Sequence, residues 1–280
     1  MIAPVYNAPL LLVQGEEKVL VAADLHLGLE HELFLSGISI PSQTGRILAR
    51  LLGFIEEIRP DRLVLLGDVK HNVPRTSWQE RTEVPQFLKS LSSAVRVDVV
   101  VGNHDSNLAD MAPMGVRIRP ASGFVLDGVG YFHGHTWPDE KTMFAKHLVA
   151  GHLHPAIRLS DPLGHGTACP VWARARIMRT AVEEHYGQAY DCDSNRGSNR
   201  DSNSNSNGHS NGEIIIAPAF NHLCGGLLLN EPVEDMRGPL MVVIDWDRAR
   251  LHMLDGTDLG TLSEIKKAQL RRNTEHHRTQ

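Results

Sequence analysis

The sequence predicts an α/β protein whose second half is rich in β-structure. In the first hundred residues, short apolar runs typical of buried strands alternate with segments of helical periodicity. From about residue 115 onward, apolar β segments separated by glycine turns follow one another directly. Because alternating strands and helices favour a sheet covered by helices, we expect an α/β sheet followed by a β-rich half.

The first half begins with a hairpin. Leu10 to Val13, the turn QGEE, and Val19 to Ala23 predict two antiparallel strands. Residues 44–60 carry apolar side chains at helical spacing and end at Pro60, which predicts an amphipathic helix. The next predicted elements are a buried strand in DRLVLLGD, a helix in TEVPQFLKSLSS and a strand in VRVDVVVGNHD.

The second half combines β segments with one low-complexity stretch. GVRIRPASGFVLDGVGYFHGH predicts two or three β segments, and further strands are predicted in KHLVAGHLHP, CPVWARARIM and IIIAPAF. Residues 194–213, rich in Ser and Asn, bury too little apolar surface to offset their ordering entropy and predict a disordered loop. We therefore expect one domain over residues 1–265, a disordered insertion at about 187–213, and a basic flexible tail over 266–280.

Composition and charge are those of an ordinary globular protein. Hydrophobic residues make up 41% and charged residues 22%, and the net charge of −5 gives no global argument for a polyanion partner. Cys169, Cys192 and Cys224 lack CxxC spacing, so neither a disulfide framework nor a thiolate zinc site is expected. The first residues lack a basic segment and a long apolar run, which predicts a cytoplasmic protein with no membrane partner.

Side chains of metal-ligand type follow five of the predicted strands. They are Asp24 and His26 in DLH, Asp68 in GD, Asn103, His104 and Asp105 in GNHD, His133 and His135 in HGH, and His152 and His154 in GHLH. Each motif alone is compatible with a turn or a helix cap. Turn chemistry does not explain their conjunction, however, and open α/β sheets place their sites at the carboxyl ends of strands. The sequence therefore predicts a metal site there.

Oxygen and imidazole ligands without thiolate favour Mn²⁺, Fe²⁺ or Zn²⁺. The ligands are too many for one ion and suit two ions that share a carboxylate. Two ions ~3.5–4 Å apart clamp the attacking and leaving oxygens of a phosphoryl displacement and lower the pKa of bound water. The expected nucleophile is a hydroxide held between the ions, so no serine or cysteine nucleophile is required.

The ordered series D-x-H, G-D, G-N-H-D, H-G-H and G-H-x-H resembles the calcineurin-like metallophosphoesterase superfamily. The stretches DLHLG, GDVKH, GHLHP and APAFNHLCGG are similar to small prokaryotic and archaeal phosphoesterases related to Sbc-type nuclease subunits and to those found beside DNA ligases and helicases. The resemblance implies a four-layer α-β-β-α sandwich of two mixed sheets.

The resemblance also implies a role for each strand-end residue. The implied ligands are Asp24, His26 and His154 for a first ion, Asn103, His133 and His152 for a second, and Asp68 as a bridge between them. His104 would be the general acid, and Asp105 would orient it. His133 is taken as the ligand of H-G-H because the family uses the first histidine. His135 then supports the ligands or faces the substrate.

The segment after Asp68 departs from the family pattern. VKHNVPRT supplies Lys70, His71 and Arg75 where many members have a polar Asn or Asp. Lys70 and His71 are expected to support the site or to face substrate phosphates. The alternative is a solvated basic loop.

The implied function is hydrolysis of a nucleotide, cyclic nucleotide or nucleic-acid phosphodiester. Two divalent ions are expected, foremost Mn²⁺, with Fe²⁺, Zn²⁺ and Ni²⁺ as alternatives. The alternative function is a catalytically silent scaffold that binds a helicase or ligase, but the retained ligands and His104 favour the enzyme. The ligand set alone does not separate diesterase from monoesterase. Expected partners are the phosphoester substrate, a DNA-processing helicase or ligase, and a second copy in a homodimer.

Overall fold

The computed structural model describes residues 1–161, 165–187, 209–232 and 238–276, and within these ranges the chain forms two β-sheets. The first sheet has the order β1 (Ile2–Pro4), β2 (Leu11–Gln14), β3 (Lys18–Ala22), β4 (Arg62–Leu65), β5 (Arg96–Val100) and β6 (Val116–Arg119). The pairs from β1 to β3 are antiparallel, and those from β3 to β6 are parallel. The predicted hairpin is thus present as β2 and β3, and the sheet is mixed.

The second sheet is also mixed. Its strands are β7 (Phe124–Leu126), β8 (Val129–Phe132), β9 (His147–Ala150), β10 (Pro155–Ser160), β11 (Gly166–Met178), β12 (His209–Ile216), β13 (Leu227–Leu228), β14 (Arg250–Met253) and β15 (Asp258–Thr261). The spatial order is β13-β10-β11-β12-β9-β8-β7, and β14 pairs with both β11 and β15. β8, β9 and β12 run parallel to one another, whereas β10 and β11 are antiparallel.

The described residues form the two predicted helices, at Thr44–Ile58 and Trp78–Ala94, and further helices that were not predicted. They are α1 (Leu29–Leu35), α2 (Thr44–Ile58), α3 (Trp78–Ala94), α4 (Leu108–Met111), α5 (Glu140–Met143), α6 (Arg179–Tyr186), α7 (Pro239–Val243) and α8 (Leu262–His276), with a 3-10 turn at Trp246–Arg248. α3 begins earlier than its predicted segment because Ser77 and Glu80 form a capping box. Among the described helices, none is long and apolar enough to cross a lipid bilayer.

Three apolar clusters separate four layers. α2 and α3 cover the outer face of the first sheet through side chains such as Leu51 and Phe87. The inner faces of the two sheets meet through side chains that include Val64 and Trp172. On the outer face of the second sheet, buried residues such as Val182 of α6 close the third cluster. The expected α-β-β-α sandwich is therefore confirmed, and each such buried side chain contributes about 1.5–3 kcal/mol.

Two segments have secondary structure in places where the sequence predicts a disordered loop and a flexible tail. β12 begins at His209, within the stretch expected to be disordered, whose residues 188–208 lie outside the described part of the chain. α8 extends to His276, although a flexible tail was expected from residue 266. The helix starts with a reciprocal cap, in which the Thr261 amide donates to Glu264 Oε2 at 2.8 Å and the Glu264 amide to Thr261 Oγ1 at 3.3 Å.

Candidate metal centre

The strand-end residues of both sheets meet at one edge of the sandwich. β3, β4 and β5 of the first sheet lead into Asp24, Asp68 and residues 103–105, while β8 and β9 of the second lead into residues 133–135 and 152–154. The His152 amide donates to Asp24 Oδ2 at 3.0 Å, and this bond joins the two sheets at the site. Residues that are far apart in sequence thereby form one polar cluster.

Five of the predicted ligands have a left-handed backbone. The φ angle is 57° at Asp24, 44° at His26, 49° at Asp68, 70° at His152 and 44° at His154. Non-glycine residues rarely adopt positive φ, at a cost of order 1–3 kcal/mol each, and such residues concentrate at functional sites. The backbone geometry therefore marks this edge as a functional site.

Two glycines allow the ligand segments to approach one another. Gly67 has φ 81°, and a Cβ there would lie 2.5 Å from His133 Nδ1. A Cβ at Gly102 would overlap the carboxylate and amide of Asp68. Packing therefore requires both glycines, and the positive φ of Gly67 is a second requirement at that position.

The first group of ligand atoms, which we call site one, comprises Asp24, His26, Asp68 and His154. His154 Nε2 lies 3.2 Å from Asp24 Oδ1 and 3.4 Å from His26 Nε2. His26 Nε2 lies 3.6 Å from Asp68 Oδ2. Ion–ligand bonds of ~2.0–2.2 Å place two ligands of one ion about 3.0–3.5 Å apart. These separations therefore suit ligands that share one ion.

The second group, site two, comprises Asp68, Asn103, His133 and His152. His133 Nε2 lies 3.2 Å from Asp68 Oδ2 and 3.1 Å from Asn103 Oδ1. Ligand atoms of Asp68, His133 and His152 all lie within 4.8 Å of one another. The same Asp68 oxygen therefore faces His26 in site one and His133 in site two.

Backbone carbonyls set the orientation of two of the histidine rings. His133 Nδ1 donates to the Leu66 carbonyl at 2.7 Å, and His154 Nδ1 donates to the Gly225 carbonyl at 3.1 Å. Metal-binding histidines usually donate their second ring N–H to such an acceptor, which fixes the tautomer. Each ring therefore presents Nε2 to the site.

A chain of side chains orients His26 in the same way. His71 Nε2 lies 2.5 Å from Glu32 Oε2, so the carboxylate accepts the Nε2–H of His71. His71 Nδ1 is then free to accept from His26 Nδ1, which lies 3.0 Å away. Consequently His26 Nε2 carries a lone pair directed at site one.

The electrostatics of the cluster suit divalent cations. Burial lowers the pKa of His26 to about 3 and that of His152 to about 4, so both rings are neutral near pH 7. Burial also lowers the pKa of His133, but the neighbouring Asp68 and Asp24 carboxylates outweigh it and raise the pKa to about 9. Converging lone pairs and carboxylates thus attract positive charge, and deprotonated ligands of this kind fit divalent metal ions.

A sequence profile described as calcineurin-like phosphoesterase matches residues 17–167, more than half of the chain. The chain belongs to the calcineurin-like phosphoesterase family. All of the predicted site residues lie within the matched range. This phosphoesterase is accordingly metal-dependent, and its family and its donor set both imply divalent cations.

Solved structures similar to this phosphoesterase have low sequence identity to it. The Pseudomonas putida nuclease MPE is 17% identical, with a TM-score of 0.48, covering 91% of this chain and 98% of its own. Yfce, a phosphoesterase from E. coli, is 22% identical, with a TM-score of 0.34 and coverages of 51% and 73%. A comparison with curated proteins found no match.

His104 of the phosphoesterase lies beside both ligand groups. Its amide donates to Asp68 Oδ1 at 2.8 Å, and its ring lies edge-on to His26 with centroids 4.8 Å apart. His104 Nδ1 donates to the His71 carbonyl, so Nε2 is the ring nitrogen that does not take part in this bond. The His104 ring is therefore held by the segment after Asp68.

The Asp105 carboxylate bonds to backbone amides, whereas the predicted partner was the His104 ring. Asp105 is buried, with Oδ1 accepting from the amides of Val69 at 2.9 Å and Lys70 at 3.2 Å, and Oδ2 from the amide of Gly102 at 2.9 Å. The His71 carbonyl, not Asp105, is the group that receives His104 Nδ1–H. Asp105 therefore joins the loops after β4 and β5, and it orients His104 only through the backbone.

We expect Asp105→Ala to lower the free energy of unfolding by about 3–5 kcal/mol, because three buried amides lose their acceptor. Urea unfolding followed by circular dichroism measures this loss. Asp110→Ala, at an exposed carboxylate on α4, is the matched control and should change stability by less than about 0.5 kcal/mol. A loss below about 1 kcal/mol for Asp105→Ala would contradict the structural role.

Lys70 and His135, the other predicted supporting residues, lie in different surroundings. Lys70 is fully buried, and its Nζ donates to the Asn72 carbonyl at 2.5 Å. Because its side chain is buried, it neither faces substrate nor belongs to a solvated loop. Burial lowers the pKa of Lys70, and the nearby Glu80 and Asp105 carboxylates act in the opposite direction. His135 lies next to site two, with its ring centroid 5.2 Å from that of His133.

Two parts of the centre were missed by sequence reasoning. Glu32 holds His71, although nothing in the helical pattern of α1 distinguishes it from a solvent-facing acid. Cys224 lies beside His26 and His154, within the APAFNHLCGG stretch that resembled relatives but received no role. Burial, together with Asp24 and Asp68, raises the pKa of the Cys224 thiol.

Proposed function

We propose that this phosphoesterase is a dinuclear phosphodiesterase that hydrolyses a nucleotide, cyclic nucleotide or nucleic-acid phosphodiester. The position of Asp68 Oδ2, 3.6 Å from His26 Nε2 and 3.2 Å from His133 Nε2, supports the dinuclear part. A carboxylate that faces two ligand groups suits two cations ~3.5–4 Å apart, which is the spacing of two-metal phosphoryl-transfer sites.

The residues divide between two cations with Asp68 in common. Site one would hold a cation through Asp24, His26 and His154, and site two through Asn103, His133 and His152. When bound, such cations supply Lewis acidity toward phosphate oxygens and lower the pKa of bound water. Burial keeps the rings of His26 and His152 neutral near pH 7. Acceptors at Nδ1 aim Nε2 of His26, His133 and His154 inward.

His104 is the proposed general acid. With Nδ1–H given to the His71 carbonyl, Nε2 is the ring nitrogen that passes a proton to the leaving oxygen as its bond to phosphorus breaks. Because the His104 amide also donates to Asp68 Oδ1, the acid and the shared carboxylate keep a fixed relation. Leaving-group protonation and ligand geometry therefore depend on one loop.

The preference for diesters and a helicase or ligase partner come from the narrower resemblance to prokaryotic phosphoesterases associated with DNA repair. Manganese is proposed from the oxygen and imidazole ligands. A cytoplasmic location and a homodimeric state are further expectations from the sequence. The ligand set serves diesters and monoesters alike, so substrate preference is decided by assay.

The deciding experiment assays a bis-aryl phosphodiester and an aryl phosphomonoester with the full chain after chelator treatment, with and without Mn²⁺. We expect Mn²⁺ to restore diester turnover by ~10³-fold or more, since cations contribute several kcal/mol and each ~1.4 kcal/mol is tenfold. Turnover of the monoester alone would refute the diesterase. Absence of turnover of either ester, with circular dichroism unchanged, would favour the scaffold.

A further inference from the structure

A cysteine thiol lies beside the ligand atoms of site one. Cys224 Sγ, one ring nitrogen of His26 and one of His154 all lie within 4.8 Å of one another. Zinc bonds of ~2.3 Å to sulfur and ~2.0–2.1 Å to nitrogen place two such atoms of one ion roughly 3.5–4 Å apart, a separation that lies within the limit of this grouping. The thiol is free and half-buried.

The Cys224 loop is anchored on the side of Asp24 and His26. The Phe220 amide donates to the Ala23 carbonyl at 2.8 Å, and buried Asn221 donates through Nδ2 to the Leu25 carbonyl at 2.9 Å. The Cys224 amide in turn donates to the Asn221 carbonyl at 3.1 Å. The thiol therefore comes from a turn that is bonded to the D-x-H segment itself.

The other side of the loop is anchored on His154. The Gly225 carbonyl accepts from His154 Nδ1, and the Leu227 amide donates to the His154 carbonyl at 3.0 Å. At Gly226 a Cβ would lie 2.7 Å from the His154 carbonyl oxygen, so a side chain there would push the loop away. Bonds to both neighbouring ligand segments thus fix Cys224 over site one.

We propose that Cys224 is a sulfur ligand of site one and gives that site a preference for zinc and other thiophilic cations over manganese. This inference rests on the proposed cation sites. On binding, the S–H bond breaks, the proton passes to water, and the sulfur forms the bond to the cation. Thiolate ligands favour zinc, whereas carboxylate ligands suit manganese.

The inference makes the two sites chemically different. Site two combines Asp68, Asn103, His133 and His152, and no cysteine of the described residues groups with it. Site one adds sulfur to imidazole and carboxylate. Mixed occupancy, with zinc in site one and manganese in site two, follows from this difference.

Cobalt titration of the metal-free full chain tests the inference without an activity measurement. A thiolate bound to Co²⁺ gives a charge-transfer band in the near ultraviolet, and Co²⁺ in any ligand field gives weaker visible bands. We expect the wild type to show both bands. Cys224→Ser and Cys224→Ala should keep the visible bands and lose the ultraviolet band, while Cys169→Ser and Cys192→Ser should retain both.

Calorimetric titration supplies a second readout. Cys224→Ser should weaken zinc binding by roughly 10–100-fold, the scale on which even outer residues of a metal site change affinity, and should leave manganese binding nearly unchanged. An ultraviolet band that survives in Cys224→Ser, or visible bands without it in the wild type, would overturn the sulfur ligand alone. No cobalt binding by the wild type would overturn the proposed cation sites as well.

Discussion

Replacing Asp68 with alanine is expected to remove both cations and to lower turnover by more than ~10⁴-fold. Asp68 Oδ2 faces His26 in site one and His133 in site two, and Oδ1 accepts the His104 amide. The substitution therefore takes away a ligand of each site and the bond that positions the acid. Metal analysis after manganese loading, together with diester turnover, measures the two losses.

The controls for Asp68 separate charge from shape. Asp68→Asn preserves the side-chain shape and an acceptor for the His104 amide but removes one negative charge, so we expect partial metal content. Asp110→Ala should match the wild type, since Asp110 is an exposed residue of α4. About two ions per chain in Asp68→Ala would refute the sharing of this carboxylate between sites.

Replacing His104 with alanine is expected to lower diester turnover by roughly 10²–10⁴-fold while metal content stays unchanged. The predicted ligands do not include His104, and its ring interacts with the His71 carbonyl and stacks on the His71 ring at 5.3 Å between centroids. Removing the ring therefore takes away the proton donor but leaves both ligand groups. A positioned general acid typically raises the rate by roughly 10²–10⁴-fold, which sets the size of the expected loss.

A leaving-group series distinguishes acid catalysis from a loss of positioning. Esters with strongly acidic phenols need little protonation, so the defect of His104→Ala should shrink as the leaving group becomes more acidic. His165→Ala, at an exposed histidine, is the matched control. A defect of the same size across the series, or a loss of bound metal, would contradict the role of general acid.

Much of the centre could be predicted because its chemistry is local in sequence. Asp24 and His26 stand two residues apart after one strand, as His152 and His154 do after another, and the carboxyl ends of the parallel strands meet at one edge. The polar residues around this core were harder to interpret. Lys70 and Asp105 look like loop residues in sequence, yet both are buried and pair with groups of neighbouring loops.

The starts of α8 and β12 also differ in whether the local sequence predicts them. The cap of α8 is formed by the local pattern T-x-x-E at Thr261 to Glu264. This pattern is typical of a helix start, although a tail was expected there. The polar start of β12 has no such local signal. β12 is held by pairing with β9 and β11, which are strands elsewhere in the chain.

The sequence by itself determined the main strands and helices of the first half and the types of ligand, because periodicity and side-chain chemistry are properties of short segments. The four-layer fold was implied by the resemblance of its motifs to a known family. Only the tertiary structure decided which atoms of those ligands face the centre. His26 is oriented by His71, 45 residues away, and the Cys224 loop is anchored by Asn221 to a carbonyl 196 residues away. Hydrogen-bond partners at such separations exist only once the two sheets have packed, so the orientation of the ligands is a property of the folded chain.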